Sequence, residues 1–372
     1  MGISFEEAKN RLEVPAGKTY ILMNQNKEIM TFNLDTAEKT VLSNDLLPYA
    51  LKDFVQDTKG LDVTTVINQS FVLRDWLCSR VLPLSRENAK AILNSSGLPQ
   101  VNNTQERLKI VVACKGLSIL DNYWIKESGE SIRFEDINLR EVPLHEVLVD
   151  ISLSGRCISV SAEVLRNDIT TNGMFAKVWQ RKDGKLKLYK SDRTIDKVNT
   201  RAELTCSLIL DSVGVNHIRY EKAILNDSLC AVCDCFTSTE KTFVSAQEVR
   251  DWCYHVGLDW KSFIMQDAYR EDIANMCVVD YVLANTDRHL ENFGFMVDSQ
   301  NNLQCLAPLY DFNQALIADE FDTNIDNLVY SLFGESIWDT TKVLAQYSTI
   351  DFDKATLMNK CQEIWIKIKD LK

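Results

Sequence analysis

The stretch Asn285-Thr286-Asp287-Arg288-His289-Leu290-Glu291-Asn292 sets an aspartate and, five residues on, an asparagine in one polar segment after a long apolar run. Asp311, within Tyr310-Asp311-Phe312, follows nineteen residues past Asn292. Two carboxylates and a carboxamide in this order suit phosphoryl transfer. One carboxylate sits beside an acceptor hydroxyl and takes its proton, while the asparagine and the second aspartate hold Mg²⁺ on ATP. Mg²⁺ keeps several waters and phosphate oxygens, so one Asn and one Asp suffice as protein ligands. On this reading Asp287 is the catalytic carboxylate and Asn292 and Asp311 are the metal ligands. His289 joins Asp287 in the catalytic loop as a hydrogen-bonding member. The plain alternative is a solvated loop in which Asp287 pairs with Arg288. The four histidines offer no nucleophilic triad and no Gly-x-Ser-x-Gly is present, so acyl transfer has no matching inventory.

These residues need elements that bring them together. Residues 293–297 and 303–306 read as strands around the polar turn 298–302, a hairpin that returns Asp311 toward Asn292. Residues 267–284 carry helical periodicity, with Ile273, Met276, Cys277, Asp280 and Ala284 along one line. Helical patterns also cover 245–256 and 354–371.

Upstream, residues 155–240 are β-rich. Residues 175–180 and 186–189 flank Arg181-Lys182-Asp183-Gly184, an Asp-Gly hairpin signal. Strand alternation puts Lys190 on the inward face with Leu186 and Leu188. An inward lysine needs an anionic partner; ATP phosphates supply one, and snorkelling to water is the alternative. Glu203, in a helix spanning 201–213 and stopped by Gly214, is a candidate partner for Lys190. Thr200-Arg201-Ala202-Glu203 equally matches a capping box. In the loop before the first strand, Thr171, Asn172 and Gly173 offer backbone N–H groups to phosphates, though an ordinary hairpin turn has the same spelling. Strand-like runs follow at 223–225 and 229–236.

The first third is a unit of its own: a hairpin from 19–23 and 29–32, helices at 69–80 and from Ser85 to about Asn94, and a packed strand or corner at 120–126. The order of elements predicts an α+β, bilobal protein-kinase-like fold. It has an extra N-terminal α+β region (1–160), a β-rich nucleotide lobe (161–240) and an all-helical C-terminal lobe (241–372).

A formal net charge of −12 argues against broad nucleic-acid binding and against an anionic membrane surface. No apolar run approaches the ~20 residues that span a bilayer, and residues 1–18 lack the apolar core of a secretory signal. A cytoplasmic location is the expectation. The odd count of 11 cysteines suggests reduced thiols. Cys230, Cys233 and Cys235 lack the second ligand pair of a zinc site and read as a buried strand.

Asn285-x-Asp287-Arg288-His289-x-x-Asn292-Phe293 followed by Leu306-Ala307-Pro308-Leu309-Tyr310-Asp311 resembles the signature of HipA-like serine/threonine kinases. Gly173-Met174-Phe175-x-Lys177 and the strand ending in Lys190 are similar to the nucleotide-binding part of that family. The resemblance implies an ATP- and Mg²⁺-dependent kinase acting on Ser or Thr of a protein substrate. It implies a base role for Asp287, Mg²⁺ binding by Asn292 and Asp311, and phosphate contact by Lys190. Toxin members of the family bind an antitoxin and shut off by self-phosphorylation in the phosphate loop, which makes an antitoxin-like regulator a candidate partner and Thr170 and Thr171 candidate self-phosphorylation sites. The acidic charge gives no support to direct nucleic-acid contact. Asp-Arg-His-x-x-Asn is also similar to phosphatidylinositol kinases, so a lipid or small-molecule kinase, or a silent nucleotide-binding scaffold, stays open.

Overall fold

Four consecutive residues, Tyr20 to Met23, are buried and end at a polar turn where Gln25 has positive φ. In the computed structural model this makes β1 (Thr19–Asn24), paired antiparallel with β2 (Lys27–Asn33). The structure describes residues 17–100, 103–171, 173–192, 197–285, 287–316, 341 and 344–350. The helical pattern at 354–371 lies outside them.

β3 (Lys39–Val41) and β4 (Tyr123–Glu127) complete a sheet of order β3-β2-β1-β4. β4 is the aromatic, charged stretch near 120–126. Trp124 is wholly buried there, and its indole N–H is satisfied by the Gln25 carbonyl at 2.7 Å. Helix α1 (Val63–Ser79) begins earlier than its periodicity suggests, because Asp62 caps the Thr65 N–H at 3.0 Å. Helix α2 (Ala89–Ser95) begins later than Ser85 suggests. Helix α3 (Thr104–Ala113) was not anticipated, although Asn103 caps the Glu106 N–H in the manner of a capping-box start. Helices α4 (Val147–Ser154) and α5 (Ala162–Ile169) follow.

The chain forms two compact units. The first runs to residue 188 and includes 237–242 and 298–302. It holds the elements above, β5 (Ala176–Lys182) and the start of β6 (Lys185–Ser191). Asp183 and Gly184 turn this hairpin with φ of 52° and 75°, the left-handed pair that matches strand twist. Asn301 belongs to this unit and is fully engaged: its Nδ2 donates to the Asp45 and Leu47 carbonyls, and its two oxygens accept from the Tyr49 and Tyr123 hydroxyls.

The second unit spans 189–236, 243–297 and 303–372. It takes the end of β6, flanked by β8 (Ser228–Asp234), which pairs antiparallel with β7 (Glu221–Leu225). Helix α6 (Val198–Val213) lies between β6 and β7 in the chain and stops at Gly214, whose φ is 71°. Helices α7 (Ala246–His255), α8 (Trp260–Ile264) and α9 (Arg270–Val282) make up much of the rest. α9 is buried along its length from Ile273, which marks it as a core helix. Among these helices stands a three-stranded sheet of order β11-β10-β9, formed by β9 (Thr242–Ser245), β10 (Gly294–Val297) and β11 (Leu303–Leu306). β10 and β11 are the hairpin the spacing predicts around 298–302. Gly294 has no substitute: a Cβ there would lie 2.1 Å from the Val244 carbonyl oxygen.

Candidate active site

Helix α9 ends in a polar loop whose centre is a buried ion pair. Arg288 donates from Nε to Asp280 Oδ2 at 2.9 Å and from Nη2 to Asp280 Oδ1 at 3.2 Å. Asn285 Nδ2 adds a bond to Asp280 Oδ1 at 2.8 Å. The remaining Arg288 nitrogen, Nη1, reaches two carbonyls, of Asn292 at 2.5 Å and of Tyr310 at 2.7 Å. Its guanidinium also stacks 4.6 Å above the Phe312 ring. A salt bridge from Arg288 to Asp287 is therefore not the role of this arginine. It fastens the Asn292 loop to the Tyr310–Phe312 segment, and the β10–β11 hairpin between them supplies the return path.

Around this clamp the three site residues of the motif gather. Asn292 is buried, and its Nδ2 donates to the Asp287 carbonyl at 2.7 Å and approaches Asp287 Oδ2 at 3.5 Å. His289 Nδ1 accepts from the Glu291 N–H at 3.2 Å, and its Nε2 faces Asp287 Oδ1 at 4.0 Å. The Asp287 carboxyl is raised above the ordinary range, chiefly by burial; His289 opposes the shift and the Asp311 charge adds to it. A carboxylate with raised basicity is suited to accepting a proton.

Lys190 is buried near the end of β6, as are Tyr189 and Ser191 on either side of it. Its Nζ lies 2.6 Å from Glu203 Oε1 and 2.9 Å from Asp311 Oδ1. The Tyr220 hydroxyl is 3.5 Å away, and the ammonium sits 5.3 Å from the Tyr220 ring centroid. Burial would lower the Lys190 pKa, but Asp311 and Glu203 outweigh it, so the ammonium is held charged. Thr200 is not a helix cap for Glu203. α6 starts at Val198, and the Thr200 N–H and hydroxyl both donate to Asp192 Oδ2 at 2.8 Å. That leaves the Glu203 side chain to Lys190. Asp311 itself has a φ of 62°, and Asn313 Nδ2 donates to its Oδ1 at 2.5 Å.

Residues 185–369 match the family described as the HipA-like C-terminal domain. This stretch is similar to that family. A chain of the solved toxin–antitoxin complex of HipA, HipB and its operator DNA from Shewanella oneidensis MR-1 is 13% identical, covers 95% of this chain and 100% of its own, and superposes with a TM-score of 0.51. The chain thus has the kinase-like fold of HipA. The proinflammatory kinase CtkA of Helicobacter pylori is 18% identical over 40% of this chain, with a TM-score of 0.33; this chain spans 57% of its length. No curated protein matches the chain.

Lys190, Glu203, Asp287, Asn292 and Asp311 all lie in the second unit, within the HipA-like match. Thr171 and Gly173 belong to the first unit, and Asn172 lies outside the described residues. The Thr171 hydroxyl donates to the Asn167 carbonyl and accepts from Trp179 Nε1 at 3.0 Å. The Thr170 hydroxyl donates to the Arg166 carbonyl at 2.9 Å. Both threonines are buried, so neither hydroxyl is presented to solvent. Gly173 has a φ of 101°, and a Cβ there would lie 2.1 Å from Lys177 Nζ. The loop is held by Arg86, which donates to the carbonyls of Asp168 (2.6 Å), Thr171 (3.0 Å) and Lys177 (2.6 Å).

Sequence reasoning missed Asp280, Tyr220, Asn313 and Arg86. One signal was available for Asp280: it stands on the apolar line of a core helix, where a carboxylate must find a cation. Tyr220 and Arg86 make contacts across long chain separations that no local spacing encodes, whereas Asn313 stands two residues from Asp311, a short spacing that offered a signal.

Proposed function

We propose that this chain is a protein kinase of HipA type that transfers a phosphoryl group from ATP, with Mg²⁺, to a Ser or Thr hydroxyl. The observation that carries the reading is the Arg288 clamp, which brings the Asn292 and Tyr310–Asp311 segments together beside Asp287. The donor set fits Mg²⁺: one carboxamide and one carboxylate, both hard oxygen ligands, beside a lysine held charged. Mg-ATP would supply the phosphoryl group and neutralise charge in a loose, anionic transition state. Asp287 orients the acceptor hydroxyl and takes its proton, favoured by its raised pKa. Asn292 and Asp311 hold the ion, Lys190 steadies the phosphates, and Glu203 keeps Lys190 in place. A regulator of antitoxin type belongs to the same proposal, in keeping with the HipA-like match.

Purified protein, Mg²⁺ and labelled ATP test this reading, with protein and phosphoinositide acceptors offered side by side. Asp287→Asn should lower transfer by about 10²–10⁴-fold and largely spare nucleotide binding. Asp311→Asn should lose both transfer and Mg²⁺-dependent binding. Full transfer by Asp287→Asn would sink the base assignment, and label on phosphoinositide alone would replace the substrate class. Mass spectrometry after ATP incubation should find Thr170 and Thr171 unmodified in the folded protein, because their hydroxyls are buried; phosphate on either would show that the loop opens.

A further inference from the structure

Asp311 is held in a backbone conformation that side-chain-bearing residues rarely adopt, with φ at 62°. Its Oδ1 receives two donors, Lys190 Nζ at 2.9 Å and Asn313 Nδ2 at 2.5 Å. These donors differ in what else they serve. Lys190 is shared with Glu203, and under the proposed function it also answers to phosphate. Asn313 is 4% exposed, and its backbone carbonyl accepts from Asn199 Nδ2 at 2.9 Å. Asn199 stands in the first turn of α6, the helix that carries Glu203. Asn313 is thus fixed from the helix side while its amide nitrogen grips the carboxylate.

The other half of that amide is telling. Asn313 Oδ1 is buried and has no hydrogen-bond partner among the described residues. A buried amide oxygen left alone is unfavourable and calls for a reason. Turning the amide over would not help, because it would set Oδ1 against the Asp311 carboxylate oxygen. The orientation is therefore dictated by Asp311, at the expense of Asn313's own oxygen.

We propose that Asn313 is a positioning residue that keeps Asp311 aimed at the divalent cation once Lys190 turns to the phosphates. The role rests on the proposed kinase function and adds a residue to it. Lys190 then acts as a donor that can be exchanged, and Asn313 as one that stays.

The test is a Mg²⁺ titration of nucleotide binding by the full chain, read with a fluorescent ATP analogue, alongside binding in EDTA. Asn313→Ala should raise the Mg²⁺ midpoint about tenfold, the loss expected for a hydrogen bond to a charged group, while binding in EDTA stays at the wild-type level. Asn199→Ala, which leaves the Asp311 contact in place, should shift the midpoint the same way by about threefold; it serves where Asn313→Ala fails to fold. A wild-type midpoint in both variants would overturn the proposal, as would an equal loss of affinity in EDTA, which would mark the role as merely structural. A wild type without Mg²⁺-dependent nucleotide binding would overturn the kinase reading and this role with it, whereas failure of the variants alone leaves the kinase reading standing.

Discussion

Arg288 in the second unit and Arg86 in the first are both fully buried, each opposite a fully buried aspartate. Arg288 meets both oxygens of Asp280 at hydrogen-bonding distance and has a nitrogen left for two carbonyls. Arg86 directs its nitrogens to three carbonyls of one loop and stands 3.7 Å from Asp168, too far for a hydrogen bond. Arg86 Nε and both Asp168 carboxylate oxygens have no hydrogen-bond partner by distance and angle among the described residues. Burial is the same in the two regions; the geometry of the pair is not. A buried charge is tolerable when its partner's hydrogen bonds replace water, and costly when they do not. The difference shows in Asp168, whose carboxyl is pushed up to about 7 by burial, with Arg86 only partly offsetting it.

The comparison predicts unequal losses. Arg288→Met should be the most damaging change in either region. It leaves Asp280 buried without its cation and frees the Asn292 and Tyr310 carbonyls, for a loss of about 3–5 kcal/mol in urea unfolding. Mg²⁺-dependent nucleotide binding should go with it, since the two halves of the site lose their tie. Arg86→Met should be milder, about 1–3 kcal/mol, because Asp168 can take up a proton when its cation is gone. Equal losses would erase the distinction between the two pairs.

The pH dependence sharpens the same point. Asp168 binds its proton more tightly folded, at about 7, than unfolded, at 3.8. Its contribution to stability is therefore fully present below about pH 4 and declines as pH rises toward 7. Asp168→Asn copies the protonated form, so thermal melts should show wild type and variant matching at low pH. The variant should then lack that part of the decline and equal or exceed wild type above pH 7. Asp280→Asn should instead lower the melting temperature at every pH tested, because it removes the oxygen pair that Arg288 grips. If Asp168→Asn were destabilising above pH 7 by as much as Asp280→Asn, the Arg86 pair would be as complete as the other.

What was legible in the chain follows the same division. Local signals were strong where chemistry and backbone coincide. The Asp183-Gly184 turn, the hairpin around 298–302 and the Gly214 stop are all readable from a few neighbouring residues. Lys190 is buried as expected, but so are Tyr189 and Ser191 while Leu188 is half-buried, so strand alternation does not describe this end of β6. The Thr200–Glu203 capping box failed because Asp192, eight residues before Thr200, competes for the Thr200 donors. From the sequence, Arg288 enters only through the alternative of a solvated loop salt-bridged to Asp287, whereas its bonds go back to Asp280 and forward to Tyr310. Arg86 and Asn301 escaped notice for one reason: each serves backbone carbonyls, of residues 82–91 positions away for Arg86 and some 250 for Asn301, and a carbonyl leaves no mark on residue identity.

The smallest effect belongs to Lys190, Glu203 and Asp311, which stand between the two extremes. Lys190 is as well bonded as Arg288, but to two carboxylates that both have other duties in the proposed function. Burial raises the Glu203 pKa, while Lys190 and the neighbouring Tyr220 hydroxyl pull it down. Tyr220→Phe keeps the ring beneath the ammonium and removes only that hydroxyl. It should lower stability by about 0.5–1.5 kcal/mol in urea unfolding, with Lys190 still able to satisfy Glu203. A loss as large as that of Arg288→Met would mean that Tyr220 is a full member of the ion pair. No loss at all would mean that Lys190 alone holds Glu203 in place.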